Sequence, residues 1–175
     1  MEQLKLHLGC GDRLLDGWVN IDLQQKEGVV SCDLRQPLPF DTDTILYIYS
    51  EHLIEHLNRY DGANLLRECY RVLFKDGARI RISTPDLAYL VDGYMKGDLT
   101  RYSKVGWMPK SKAQMLNEGM HEWGHQFLYD EQELITLLHE TGFKEITRLR
   151  GRGSGFLAGI ESRPDCNDLI IEATI

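Results

Sequence analysis

The chain has 175 residues, 42% of them hydrophobic and 27% charged, and a formal net charge of −7. This length suits one domain with a core of its own, the acidic balance argues against a general nucleic-acid surface, and no stretch reaches the ~18 apolar residues of a membrane helix. Cysteines at 10, 32, 69 and 166 form no CxxC pair and the opening MEQLKLHL has no basic-then-apolar signal pattern, so the expectation is a cytoplasmic protein with reduced thiols, bound to no membrane.

In chain order, Leu4 to Leu8 reads as a first strand that stops at Gly9-Cys10-Gly11. Val19 to Ile21 is a second strand, ending at Asp22, and Val29 to Cys32 a third, ending at Asp33. Val19 lies only ten positions after Gly9, barely a parallel crossover, so the helix after the first strand is expected to shrink to about a turn. Thr44 to Tyr49 (TILYIY) is a fourth strand, entered past Pro37 and Pro39. A helix is expected over His52 to Asn58. A longer one carries Ala63, Leu66, Cys69, Tyr70 and Leu73 at helical spacing and stops at Lys75-Asp76-Gly77.

Ala78 to Ser83 is the fifth strand, closed by Thr84-Pro85. Asp86 caps a helix expected to turn Leu87, Leu90, Val91 and Tyr94 inward. Residues 97–128 show little periodicity, and a structureless segment of that length in a compact domain is functional or disordered. Asp130 with Glu133 resembles a capping box for a helix bearing Leu134, Leu137 and Leu138, and Gly142 stops it. Glu145 to Leu149 and Asp168 to Thr174 are the last two strands, with a Gly-rich stretch at 151–159. Lys96, Arg101, Lys104, Lys110 and Lys112 face a single acid, Asp98, which makes either a solvated loop or an attraction for an anionic substrate. Arg148, Arg150 and Arg152 alternate at strand period, as a second basic patch or an exposed edge. The cysteines other than Cys10 read as core.

Strands alternating with helices make a largely parallel sheet covered on both faces. Ligands of such sheets lie outside the carboxyl ends of the strands, and Gly9 to Gly11, Asp22, Asp33, Ser50 to His52 and Thr84 to Asp86 all fall there. A strand, a glycine turn and a carboxylate at the next strand's tip are the parts of an α/β nucleotide site. On these residues the chain resembles the class I S-adenosylmethionine-dependent methyltransferase superfamily. Within it, LxLGCG followed by GWxNxD resembles a small bacterial group associated with surface-polysaccharide or sugar metabolism. The resemblance covers nearly the whole chain. It implies a doubly wound, Rossmann-like α/β fold with a mostly parallel seven-stranded sheet and an antiparallel last strand. It also implies a single domain over 1–175, with 97–128 as a lid or acceptor-binding insertion.

The same resemblance implies S-adenosylmethionine as cofactor. Gly9 and Gly11 match the glycine turn, with Cys10 as the small residue between them. Asp22, followed by Leu23, matches the ribose-binding acid, and Asp33 with Leu34 the adenine-side pair. Ser50 and Glu51 open the segment after strand four (SEHLIEH) and count as cofactor contacts. Where most members carry an acid for the cofactor's amino group, this chain has His7. GARIRISTPD and HQFLYDEQELITLLHETGF match the fifth strand and the closing pattern.

The implied reaction is methyl transfer to a small-molecule acceptor, such as a sugar, a nucleotide sugar or a glycan end, anionic if the basic loop takes part. An oxygen acceptor needs a base, and the candidates are His52, His56 and His125, with His121 as a fourth. Each of His52 and His56 also reads as a structural histidine. HLIEH at 52–56 matches the inverted zinc-protease motif and HEWGH at 121–125 the ordinary one. The first lies in the segment after strand four, the second has Gly124 where a helix would be needed, and no metal is assigned. Two other readings stay open: a protein of this fold that binds a nucleoside-like ligand or a partner without turnover, and a nicotinamide dehydrogenase, for which GCGDRL lacks the third glycine. A homo-oligomer is neither required nor excluded.

Overall fold

The computed structural model describes residues 4–162 and 167–175. Its strands are β1 (Leu4–Leu8), β2 (Val19–Asp22), β3 (Val29–Ser31), β4 (Ile45–Glu51), β5 (Arg79–Thr84), β6 (Lys144–Leu149) and β7 (Leu169–Thr174), and its helices α1 (Arg59–Val72), α2 (Leu87–Lys96), α3 (Lys112–His121) and α4 (Glu131–Thr141). The strands form one sheet in the order β3-β2-β1-β4-β5-β7-β6. β1 to β5 pair in parallel, and β7 runs antiparallel between β5 and β6. The mostly parallel seven-stranded sheet with its antiparallel last strand is therefore as the sequence implies. Among the described residues, no helix is long and apolar enough to cross a membrane.

Side chains alternate across a strand, and the register sorts them. Leu6 pairs with Val19 and Ile48, Ile48 with Ile80, and Ile80 with Ala173. That apolar face is covered by α1 and α4, whose Leu65, Leu66, Leu134, Leu137 and Leu138 join it in one core. His7, Tyr49, Arg81 and Glu172 point the other way, and two loops meet them. Trp18, from the β1–β2 connection, meets Tyr49 edge-on at 6.5 Å, and Phe156, from the β6–β7 connection, packs on Tyr47 at 5.1 Å. Arg81, fully buried, donates to Glu172 and to the Ser154 carbonyl at 2.8 Å each, and pairs with Glu161. Glu172 also accepts from the Phe156 and Leu157 amides. Burial pushes its carboxyl up, but these amides and Arg81 outweigh that and hold it below the ordinary value.

Several details differ from the sequence reading. Residues 9–18 form turns and no helix at all, because ten residues are used up in reaching β2. His52 to Asn58 is not a helix: His52 takes a left-handed φ of +53°, one 3-10 turn covers Ile54–His56, and Asn58, in extended geometry, caps α1 by accepting from the Asp61 amide. β3 ends at Ser31, one residue early. In α2, Leu90 is buried while Val91 and Tyr94 are exposed. Residues 97–128 contain α3, capped by Ser111. Buried Leu90, Met115 and Leu128, with half-buried Tyr102 and Trp107, form a second small core. Gly119 makes that core possible, since a Cβ there would lie 2.6 Å from Leu90 Cδ2.

The basic stretches are partly neutralised. Arg101 pairs with Asp92 and Asp98, Lys96 with Asp92, Arg148 with Asp86 and Glu131, and Arg152 with Asp168. Cys10 and Cys69 are buried and Cys32 half-buried, all as free thiols. Cys166 lies outside the described residues.

Candidate functional site

The carboxyl ends of β1, β4 and β5 lie side by side, and two features meet there. The first is the glycine turn. Gly9 and Gly11 have φ of +66° and +53°, a region that L side chains avoid. A Cβ on Gly9 would come within 2.8 Å of Leu53, so the turn packs directly on the residue after His52. At Gly11 a Cβ would meet nothing within 4 Å, so the backbone is open there. The Gly11 amide donates to Asp22 Oδ2 at 2.9 Å and the Gln24 amide to Oδ1 at 3.1 Å, which fixes the carboxylate at the tip of β2. Leu23 beside it is 65% exposed. Lys26 reaches back to the Gly11 carbonyl and to Asp12.

The other residues expected around this edge divide. Asp33 is at the next strand end, clamped by Arg35 Nε and Nη2 at 2.8 and 2.7 Å, which pulls its pKa down to about 2. Glu51 is buried and accepts from the Ser162 amide and hydroxyl, with Arg13 at 3.6 Å. Cys10, Ser50 and Leu34 are buried, and Leu34 belongs to the main core. His7 is buried in the sheet, stacked on Tyr49 at 5.1 Å, with Nδ1 3.2 Å from Asn20 Oδ1. Burial lowers its pKa against the opposing pull of Asn20.

The second feature is a cavity of about 580 Å³ beyond β4 and β5. His52, His56, His125, Tyr102, Trp107 and Trp123 are among its lining. The rings form a continuous chain: Tyr102 to Trp107 at 4.6 Å, Trp107 to Trp123 at 5.2 Å, Trp123 to His125 at 5.7 Å and His125 to His56 at 5.1 Å. Trp107 is held by donating to Glu118 at 2.7 Å. His121 is exposed at the end of α3 and does not reach the lining.

The histidines differ in their partners. His52 lies between two carboxylates, Nδ1 at 3.4 Å from Glu55 Oε1 and Nε2 at 3.2 Å from Asp168 Oδ1, out of line for hydrogen bonds. His125 Nδ1 faces the Gly119 carbonyl at 2.9 Å, so that nitrogen carries the proton and Nε2 the lone pair. Burial, more than this bond opposes, lowers the His125 pKa. Glu55 is fully buried, and its Oε2 accepts from the Thr84 hydroxyl at 2.9 Å.

Some of this was hidden in sequence. Trp107 belongs to no motif, and Trp123 sits inside HEWGH at a position the motif does not specify; Asp168 lies 116 positions from His52, which it faces. Glu55 did carry a signal as the acid inside HLIEH.

No family profile matches the chain, and no curated protein is similar to it in sequence. Solved structures are similar to it in fold. One is an S-adenosylmethionine-dependent methyltransferase from Archaeoglobus fulgidus, at 17% identity over 98% of this chain and 85% of that one, with a TM-score of 0.62. A second, from Thermotoga maritima, is described as an S-adenosylmethionine-dependent methyltransferase and possible histamine N-methyltransferase, at 16% identity over 99% and 82% and a TM-score of 0.63. A third is phosphoethanolamine N-methyltransferase 2 of Haemonchus contortus in complex with S-adenosylmethionine. It has 16% identity over 86% of this chain and 35% of that one, and a TM-score of 0.57. The fold is that of the class I S-adenosylmethionine-dependent methyltransferases.

Proposed function

We propose that this protein transfers a methyl group from S-adenosylmethionine to a hydroxyl of a small acceptor, such as a sugar, a nucleotide sugar or a glycan end. The observation that carries the reading is the contact between the two features: the glycine turn packs on Leu53, and His52 and His56 on either side of it line the cavity. A nucleoside fits the first feature, with an open backbone at Gly11, a fixed carboxylate at Asp22 for ribose hydroxyls and an exposed apolar Leu23 for the base. When bound, the cofactor supplies a methyl group activated as a sulfonium. The chain's own part is to hold the acceptor in line and exclude water.

The cavity's aromatic lining suits the apolar face of a sugar ring. Among the described lining residues there is no lysine or arginine, and Arg101 and Lys96 are engaged by acids. The neutral acceptors therefore lead over anionic ones. His56 and His125 are the ring nitrogens facing the acceptor, because both nitrogens of His52 already face carboxylates. The compartment is taken to be cytoplasmic.

The test is release of S-adenosylhomocysteine over a panel of free sugars, sugar phosphates and nucleotide sugars. The reading expects turnover with at least one, lost in Trp107→Ala; faster turnover of phosphorylated than of neutral acceptors would reverse their order. A second reading, binding without turnover, has one observation in its favour: Asp22 and Asp33 are both engaged within the chain, by Gly11 and Arg35. It leads if the whole panel is silent while the cofactor binds.

A further inference from the structure

HLIEH and HEWGH each look like a two-histidine metal motif, and neither folds as the helix such a motif requires. The first is a turn entered through His52, and the second is kinked at Trp123, with φ +57°. The fold instead joins one histidine from each. The Gln126 and Phe127 amides donate to the Glu55 carbonyl at 2.7 and 3.2 Å, and Gln126 Nε2 donates to the His56 carbonyl. This clamp brings one ligand atom each from Glu55, His56 and His125 within 4.8 Å of one another. We propose that Glu55, His56 and His125 bind a divalent transition-metal ion at the cavity.

Three features support the site. Glu55 is fully buried, and its Oε1 accepts no hydrogen bond. A buried carboxylate oxygen without a donor is costly, and a cation would satisfy it. His125 gives its Nδ1 proton to the Gly119 carbonyl, the outer contact that orients a metal-ligating imidazole and leaves Nε2 to bind. Both histidines line the cavity, so the remaining coordination positions open towards an acceptor. Around a tetrahedral ion with bonds of about 2.1 Å, ligand atoms lie about 3.4 Å apart, so no pair in the set has to close by more than about 1.4 Å on loading. Two imidazoles and one carboxylate suit zinc, cobalt or iron better than magnesium or calcium. His52, flanked by Glu55 and Asp168, stands outside the set.

The chemical role rests on the methyl-transfer reading; the binding does not. In that role the ion is a Lewis acid for the acceptor hydroxyl. The oxygen–methyl bond forms as the sulfur–methyl bond breaks, sulfur keeps the bonding pair as a neutral thioether, and the hydroxyl proton goes to solvent. His56 and His125 then act as ligands rather than bases.

The experiment is a Co²⁺ titration of the purified chain without S-adenosylmethionine, followed by visible d–d absorption, with Zn²⁺ and Mg²⁺ as competitors. The expected result is one Co²⁺ per chain, displaced by Zn²⁺ and not by Mg²⁺, with binding weakened at least about tenfold in Glu55→Gln and in His125→Ala. If Glu55→Gln does not fold, His125→Ala, a change at a half-buried side chain, decides alone. No absorption, unchanged binding in the folded variants, or equal displacement by Mg²⁺ would overturn the site. Calorimetry with S-adenosylhomocysteine on the same preparation separates the two claims, since cofactor binding without cobalt binding removes only the metal, and the reverse removes only the methyl-transfer reading.

Discussion

The two faces of the sheet are held by different forces. One carries leucines of α1 and α4 packed on Leu6, Ile48 and Ile80 in a single hydrophobic cluster. The other carries Tyr49, Arg81 and Glu172, and its cover is two loops fixed by aromatic contacts and by buried charge. Removing a methyl group should matter on the first face, and removing a charge on the second. The second face also reaches the site: the β6–β7 connection that Arg81 anchors leads into Asp168, beside His52, and Ser162 donates to Glu51 at the end of β4.

The largest effect should come from Arg81→Ala. It strands Glu161 and Glu172 without their cation, and breaking a buried pair costs about 3–5 kcal/mol. Urea denaturation should show that loss, with faster hydrogen exchange over residues 152–162. Leu66→Ala, on the helical face, should cost about 3 kcal/mol by transfer and cavity terms and leave exchange in that loop slow. If both variants loosened the loop equally, the two faces would be one cooperative layer and the contrast would fail.

A pH series tests the polar face more gently. His7 has its pKa lowered below 6.5 by burial. Above that value the folded and unfolded chains both hold it neutral. As pH falls through it, the unfolded chain takes up a proton that the folded chain does not, so stability drops. The urea midpoint should therefore fall between about pH 7.5 and about pH 5.5, and His7→Gln should flatten the slope. Smallest of all is Arg59→Gln. Its pair with Glu133 joins α1 to α4 at 2.6 Å, but the side chains are 47% and 31% exposed, so the loss should stay under about 1 kcal/mol. A larger loss would mean that charge matters on the helical face too.

The contrast between the faces was written in the strands. Parallel strands buried under helices on both sides run apolar without a break, whereas LKLHL and RIRIST alternate. Lys5, His7, Arg79 and Arg81 marked a face covered by loops, whose Trp18 and Phe156 pack on it and take Lys5 and Arg79 over their rings. α3 was obscured because its buried positions are Met115 and Gly119, too few apolar side chains for a clear period. Glycine turn and Asp22 were legible because a turn and its carboxylate are close in sequence. The meeting of His56 with His125 was not: it depends on Gln126 bonding to residues 55 and 56, and long-range pairing of that kind leaves no local pattern. The ion pairs of Arg101 with Asp92 and of Arg152 with Asp168 were hidden for the same reason, since the partners lie nine and sixteen positions away in sequence.

The central claim is that the turn at Gly9 to Gly11, with Asp22, forms the cofactor site. Calorimetric titration with S-adenosylmethionine and S-adenosylhomocysteine, on the wild type and on Asp22→Ala, tests it most directly. The account predicts saturable one-to-one binding, weakened about 10- to 100-fold by the substitution through loss of charge-assisted hydrogen bonds. No heat from the folded wild type, or equal affinity in Asp22→Ala, would contradict it.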